Sequence, residues 1–259
     1  VLHWLTWQIP RDVEARLGAG IVAQLKRDKT LVDNGQAAAA MKQIGDRLTA
    51  GSAYRYQWFV VDDKSVNAFA LPGGIIVVHS GLLHAAASAD EVASVLAHEV
   101  QHVEQRHALR NMVNQAGLAA AMLVVLGDVN SVVLLIAHQA SAQFFSRGME
   151  SEADLQGVKL LHERKFLTAP MVSMFEKLKD AHTASVARPG EPKKAGDDKD
   201  DDHDALGWLS SHPQVDERIR AIQAFVVANP CADCRALPVD WPAAQADLKA
   251  VLRGVRDKP

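Results

Sequence analysis

The residues that constrain this chain most are His98-Glu99-Val100-Gln101-His102, set in a stretch with helical periodicity. Val92, Leu96, Val100 and Val103 recur at steps of three and four, the spacing of one apolar helix face. Ser88, with Glu91 three residues on, forms a capping box that predicts where this helix starts. Residues i and i+4 of a helix lie about 6 Å apart on one face, so two imidazoles can converge on one cation. Zinc takes imidazole nitrogen at about 2.0–2.1 Å in a tetrahedral arrangement. Glu99 stands between the two histidines and off to one side, where its carboxylate can reach a water at the metal. The competing reading is an accidental spacing on an amphipathic helix, in a chain with 11 histidines. Against it, two inward-facing histidines are costly to bury without a partner.

A catalytic zinc takes three protein ligands and keeps a fourth position for water. Downstream, Ser146-Arg147-Gly148-Met149-Glu150-Ser151-Glu152-Ala153-Asp154 places Glu150 and Asp154 at i and i+4 on a helix predicted from Phe144 to about Glu163. Glu150 can then coordinate the metal. Asp154, one turn on, can accept Nδ1–H of a ligand histidine, His98 for preference, and so fix its tautomer. Alone, the two acids would equally suit a solvated face with Glu152 as its third member. After a His-Glu-x-x-His they carry more weight.

The remaining chain predicts a helix-rich α+β fold. Residues 11–50 read as helical, from Val13, Leu17, Ile21 and Leu25 and again from Ala37 to Leu48. Tyr54 to Val61 suit a strand, and Gly74 to His79 a second one entered through Pro72-Gly73-Gly74. Residues 116–138 are strongly apolar but broken at Gly127-Asp128-Val129-Asn130. The pieces are too short to span a bilayer, and a buried or lid-like helical hairpin is expected. Residues 183–205 are polar and acidic and predict a mobile loop. Ser211-His212-Pro213 starts a further helix, with proline suited to its first turn. There is no internal repeat of 20–50 residues.

These blocks together resemble the gluzincin metallopeptidase family that includes the CAAX prenyl endopeptidases, HtpX and BepA. Asn67-Ala68-Phe69-Ala70 with Pro72-Gly73-Gly74 is similar to the family's pre-strand signature, and Leu96 to His102 to its zinc helix. Ser146-Arg147 with Glu150-x-x-Ala153-Asp154 is similar to its third-ligand helix, and Ser211-His212-Pro213 with Arg218-Ile219 to its late His-Pro element. The matched blocks span residues 67–219. The resemblance implies a zincin-like α+β domain over residues 1–259, with 220–259 as a C-terminal extension. It implies one Zn2+ per chain held by His98, His102 and Glu150, with Glu99 as general base. It also implies that Gly74, Ile75, Ile76 and Val77 form a substrate-binding edge strand beside the cleft. His212 stands either near the metal or as a plain helix-cap histidine, and Arg218 either as a partner of that site or as a surface arginine. The implied partner is an unfolded or misfolded protein or peptide.

Net charge −3, with 48% apolar and 23% charged residues, is an ordinary globular balance and argues against a nucleic-acid surface. His79, His84, His107, His138 and His162 lack ligand spacing and are given no role. Cys231 and Cys234 suggest a tight disulfide or two free thiols, since a structural zinc site needs a second pair. The chain starts at Val1 with no methionine, basic n-region or signal-like apolar stretch, so a segment before it is expected to have been removed, which leaves membrane association open. Soluble members of the family are commonly periplasmic and tied to envelope protein quality control. Two rival readings remain: a latent, chaperone-like factor whose site is closed by His212 or the 116–138 hairpin, and an integral-membrane protease.

Overall fold

A computed structural model describes residues 6–7, 9–111, 114, 145–186, 208, 212 and 215–256. The predicted hairpin at 116–138 lies outside them, as does 187–205 of the predicted acidic loop. Residues 183–186 of that loop are instead the last turn of a helix, α6 (Ala169–Val186).

The stretch expected to be helical over 11–50 is two helices with a strand between them. Helix α1 (Arg11–Asp28) stops where Lys29 turns extended, and β1 (Leu31–Val32) follows before α2 (Gln36–Leu48). Helical spacing on both sides hid the break. Leu31 and Val32 pair with Val61 and Val60 of β2 (Gln57–Val61), so the sheet overrides the local pattern.

Two more strands complete a mixed sheet ordered β1-β2-β4-β3: β3 (Ala68–Leu71) and β4 (Ile75–His79). β4 runs parallel to β2 and antiparallel to β3. Pro72-Gly73-Gly74 makes the hairpin, with both glycines at left-handed φ of 83° and 89°. A Cβ on Gly73 would lie 2.7 Å from the Ala15 Cα, so the turn presses directly on α1. This topology corrects one expectation. The strand that begins after Gly74 is internal, and all five residues of β4 are buried. Among the described residues the edge strands are β1 and, beside β4, β3.

The unbroken apolar run of β4 follows from burial on both faces. Ile75 and Val77 pack with Val13, Leu17, Ile21 and Val22 of α1, while Ile76 and Val78 enter the main core. That core holds α2, the short α3 (Ser80–Ala85), α4 (Ala89–Glu104), α5 (Arg147–Glu163), α6, α7 (Val215–Ala228) and α8 (Trp241–Arg256). Within the stretch expected as a C-terminal extension, α8 packs on the core through the buried Trp241, Ala244, Leu248 and Leu252. Trp241 Nε1 and Gln245 Nε2 both donate to the Ala86 carbonyl that ends α3, at 2.9 and 2.8 Å. Cys231 and Cys234 form a disulfide in the α7–α8 connection. No helix among the described residues is long and apolar enough to cross a membrane.

Helix α4 starts as the capping box predicts. Ser88 Oγ accepts from Glu91 N at 3.2 Å, while Glu91 Oε2 reaches back to Ala87 N at 2.6 Å. Every residue from Ala89 to Val103 is buried. α5 crosses it tightly at Gly157, where a Cβ would sit 3.3 Å from the His98 Cα and the Ala97 carbonyl. That small-residue crossing brings the acids of α5 onto the histidines of α4.

Candidate metal centre

His98 and His102 stand one turn apart on α4, both fully buried, with their Nε2 atoms 2.9 Å apart. Glu150 enters from the first turn of α5, where Ser146 caps the helix by accepting from Met149 N at 3.3 Å. Its Oε1 lies 3.4 Å from His102 Nε2 and its Oε2 3.7 Å from His98 Nε2. His212 completes the group: Nδ1 is 3.3 Å from His98 Nε2 and 2.9 Å from Glu150 Oε2. One ligand atom from each of the four residues lies within 4.8 Å of the others.

These residues fit zinc. Donors about 2.0–2.1 Å from a tetrahedral ion are separated by about 3.3 Å along each edge. The observed separations of 2.9 to 3.7 Å bracket that value. Two imidazoles and one carboxylate are also the donor set of catalytic rather than structural zinc. Two buried polar atoms of residues in the site, Glu99 Oε2 and His212 Nε2, have no hydrogen-bond partner among the described residues. Such atoms are costly unless something else satisfies them.

Around the donors lies a layer of charge. Arg218 Nε and Nη2 donate to the two oxygens of Asp154 at 2.5 and 2.8 Å, and Nη1 reaches Glu150 Oε2 at 2.8 Å and the His212 carbonyl at 3.0 Å. Asp154 Oδ1 is 2.8 Å from His98 Nδ1, although the ring N–H is not aligned on it and makes no formed hydrogen bond. Burial alone would raise both acids. The positive side of His212 and Arg218 outweighs it at Glu150, and Arg218 and His98 outweigh it at Asp154, so both carboxyls are held below the usual range. His212 moves the opposite way: burial lowers it, but the Glu150 and Glu99 carboxylates win and raise it. His102, buried among His98, His212, His107 and Arg218, is pushed well down.

Glu99 lies in this helix with no exposed surface, and burial raises it against the pull of His212 and His98. Trp208 Nε1 donates to its Oε1 at 3.2 Å, and the indole stacks on His212 at 4.4 Å. One carboxylate oxygen is therefore held, and the other has no hydrogen-bond partner among the described residues.

The structure brings together His98, Glu99, His102, Glu150, Asp154, His212 and Arg218, and excludes Gly74, Ile75, Ile76 and Val77 from any open edge. Sequence reasoning missed Trp208 and Phe145, whose ring stacks on His102 at 4.1 Å. It also set His107 aside, and that reading is corrected. His107 Nδ1 is 2.9 Å from His102 Nδ1, and its Nε2 is 3.2 Å from Glu152 Oε2. The histidine returns to the site because the chain folds back after the Gln105 cap of α4, with Arg106 at a left-handed φ of 54°. A non-glycine residue at such a φ leaves no sequence signal. Burial lowers His107 to about 4.

A helix-borne His-Glu-x-x-His, joined by a glutamate from a second helix, is the site of an HExxH-type metallopeptidase. The chain belongs to peptidase family M48, whose model matches residues 32–226. It is 32% identical over 226 residues to the beta-barrel assembly-enhancing protease of Yersinia pestis, covering 80% of this chain and 43% of the relative. The Escherichia coli protein of the same name is 29% identical, over 68% of this chain and 39% of its own length. The mitochondrial metalloendopeptidase OMA1 of Schizosaccharomyces pombe is 29% identical, over 75% of this chain and 54% of its own. The chain thus spans about half or less of the length of these relatives.

Proposed function

We propose that this protein is a zinc-dependent endopeptidase that hydrolyses peptide bonds of unfolded or misfolded proteins in the bacterial envelope. The single observation that carries the reading is the convergence of His98, His102 and Glu150, from two helices, on one point beside Glu99. A beta-barrel assembly-enhancing protease among the relatives and an intact disulfide both suit an envelope location.

His98 Nε2, His102 Nε2 and the Glu150 carboxylate would hold the ion. When bound, zinc supplies Lewis acidity, which makes water a nucleophile near neutral pH and polarises a carbonyl. Glu99 Oε2 is placed to accept the proton that the water gives up and to deliver it to the leaving amine. Trp208 keeps Oε1 from competing by holding it in a hydrogen bond. His212, raised by its carboxylate neighbours, is placed to donate to the oxyanion. An extended peptide would pair with β3, the edge strand beside β4, whose end at Ala70 and Leu71 lines a small cavity of about 10 Å³ together with His102.

Glu99→Gln tests the reading on unfolded casein: zinc content should stay at one equivalent while cleavage is lost. Unimpaired cleavage by that variant would remove Glu99 from the mechanism. A second reading rests on His212, which lies close enough to the other three to fill the fourth position. In that state the protein is latent and acts by binding its clients. Cleavage by His212→Ala but not by wild type would favour it.

A further inference from the structure

We propose that His107 is a positioning residue for the metal ligand His102, acting in a relay His102–His107–Glu152–Arg110 that no ligand motif contains. The inference rests on the zinc reading above. For His102 to bind a metal through Nε2, its ring proton must sit on Nδ1, and a buried Nδ1–H needs an acceptor. The described atom within hydrogen-bond reach is Nδ1 of His107, at 2.9 Å. His107 can accept there only if its own proton is on Nε2. Glu152 sets that tautomer, because a carboxylate accepts and Oε2 lies 3.2 Å from Nε2. Arg110 Nη1 in turn fixes Oε2 at 2.8 Å. His102 and Arg110 thus donate, Glu152 accepts, and His107 accepts at Nδ1 while donating at Nε2. His107 itself is fully buried, so water does not replace it.

The arrangement parallels the one behind the other ligand. His98 faces Asp154, which Arg218 holds, and His102 faces His107, which Glu152 and Arg110 hold. The two halves differ in one respect. Asp154 brings a negative charge next to its histidine, whereas His107 brings a neutral lone pair and keeps the charge one residue away. His102 is therefore oriented without the added basicity that a carboxylate gives.

The test is zinc affinity of the full chain, measured by competition with a chromogenic chelator, with apo-protein melting recorded alongside. His107→Leu keeps bulk and removes the acceptor, and should weaken zinc binding by roughly 10- to 100-fold. His107→Asn places Oδ1 where Nδ1 lies and should recover most of that loss at equal apo stability. Glu152→Ala, half exposed and safe for folding, should show a smaller loss in the same direction and serves if His107→Leu does not fold. Equal zinc affinity for wild type and the variants overturns the relay. An Asn variant as weak as Leu does so too, since packing alone would then explain the loss. A wild-type chain that binds zinc tightly yet cleaves nothing would sink the endopeptidase reading and leave the relay standing. A wild type that binds no zinc sinks both.

Discussion

Arg218 grips both oxygens of Asp154, at 2.5 and 2.8 Å, and the same aspartate stands 2.8 Å from Nδ1 of His98. A planar guanidinium matches a carboxylate in a way that an ammonium does not. Asp154 depends on it first for neutralisation in a buried place, and Glu150 depends on it after His212.

Replacing Arg218 is therefore expected to be severe. Arg218→Met leaves two buried carboxylates short of a partner and should cost the apo protein about 3–5 kcal/mol in urea unfolding. Arg218→Lys keeps the charge but not the fork. It should fold better than the Met variant and still bind zinc less tightly than wild type.

Trp208→Phe removes the donor to Glu99 Oε1 while keeping an aromatic ring on His212. A hydrogen bond to a charged group contributes about 1.5–3 kcal/mol, so kcat should fall by roughly 10- to 100-fold. Zinc content should be unchanged. A matching loss of zinc would show that the indole supports the ligands instead.

The centre was legible in the sequence because its spacing is set by one helix at a time. His98 and His102 are one turn apart on α4, and Glu150 and Asp154 one turn apart on α5, so helical periodicity alone pairs them. His212 and Arg218 were legible only as alternatives, since nothing local says whether a late histidine points inward. Trp208, Phe145 and His107 were not legible. Each meets the site through tertiary packing, and His107 depends on the left-handed turn at Arg106. The edge-strand reading of Gly74 to Val77 failed for a related reason. An apolar β-branched strand reads the same whether it is internal or at an edge, and only the short β3, hidden within Asn67-Ala68-Phe69-Ala70-Leu71, decides between them.

Gly157 sets the approach of α5 to α4. Gly157→Val should wedge the helices apart, cost about 1–3 kcal/mol, and weaken zinc binding by moving Glu150. Gly148 lies on the same helix with nothing within 4 Å of an added Cβ. Gly148→Ala should be neutral or stabilising by up to about 1 kcal/mol. Thermal melts of the two variants check both statements.

Asp63 gives the fold a defined acid sensitivity away from the metal. Burial would raise it, but His79, the backbone and hydroxyl of Ser65, and Lys29 together hold it far below the usual carboxylate range. A carboxylate depressed in the folded state stabilises fully above its unfolded value of 3.8, and that contribution is lost progressively as pH falls from there towards the lower folded-state value. Asp63→Asn should be less stable than wild type at pH 7 by about 1.5–3 kcal/mol. The gap should narrow as pH drops below about 4. A gap that stays constant down to pH 2 would contradict the assignment.

Anomalous diffraction at the zinc edge, from crystals of the zinc-loaded chain, tests the central claim most directly. The expected result is one peak within coordination distance of His98 Nε2, His102 Nε2 and a carboxylate oxygen of Glu150. A peak elsewhere, or one bound by both histidines with Glu150 turned away, would contradict it.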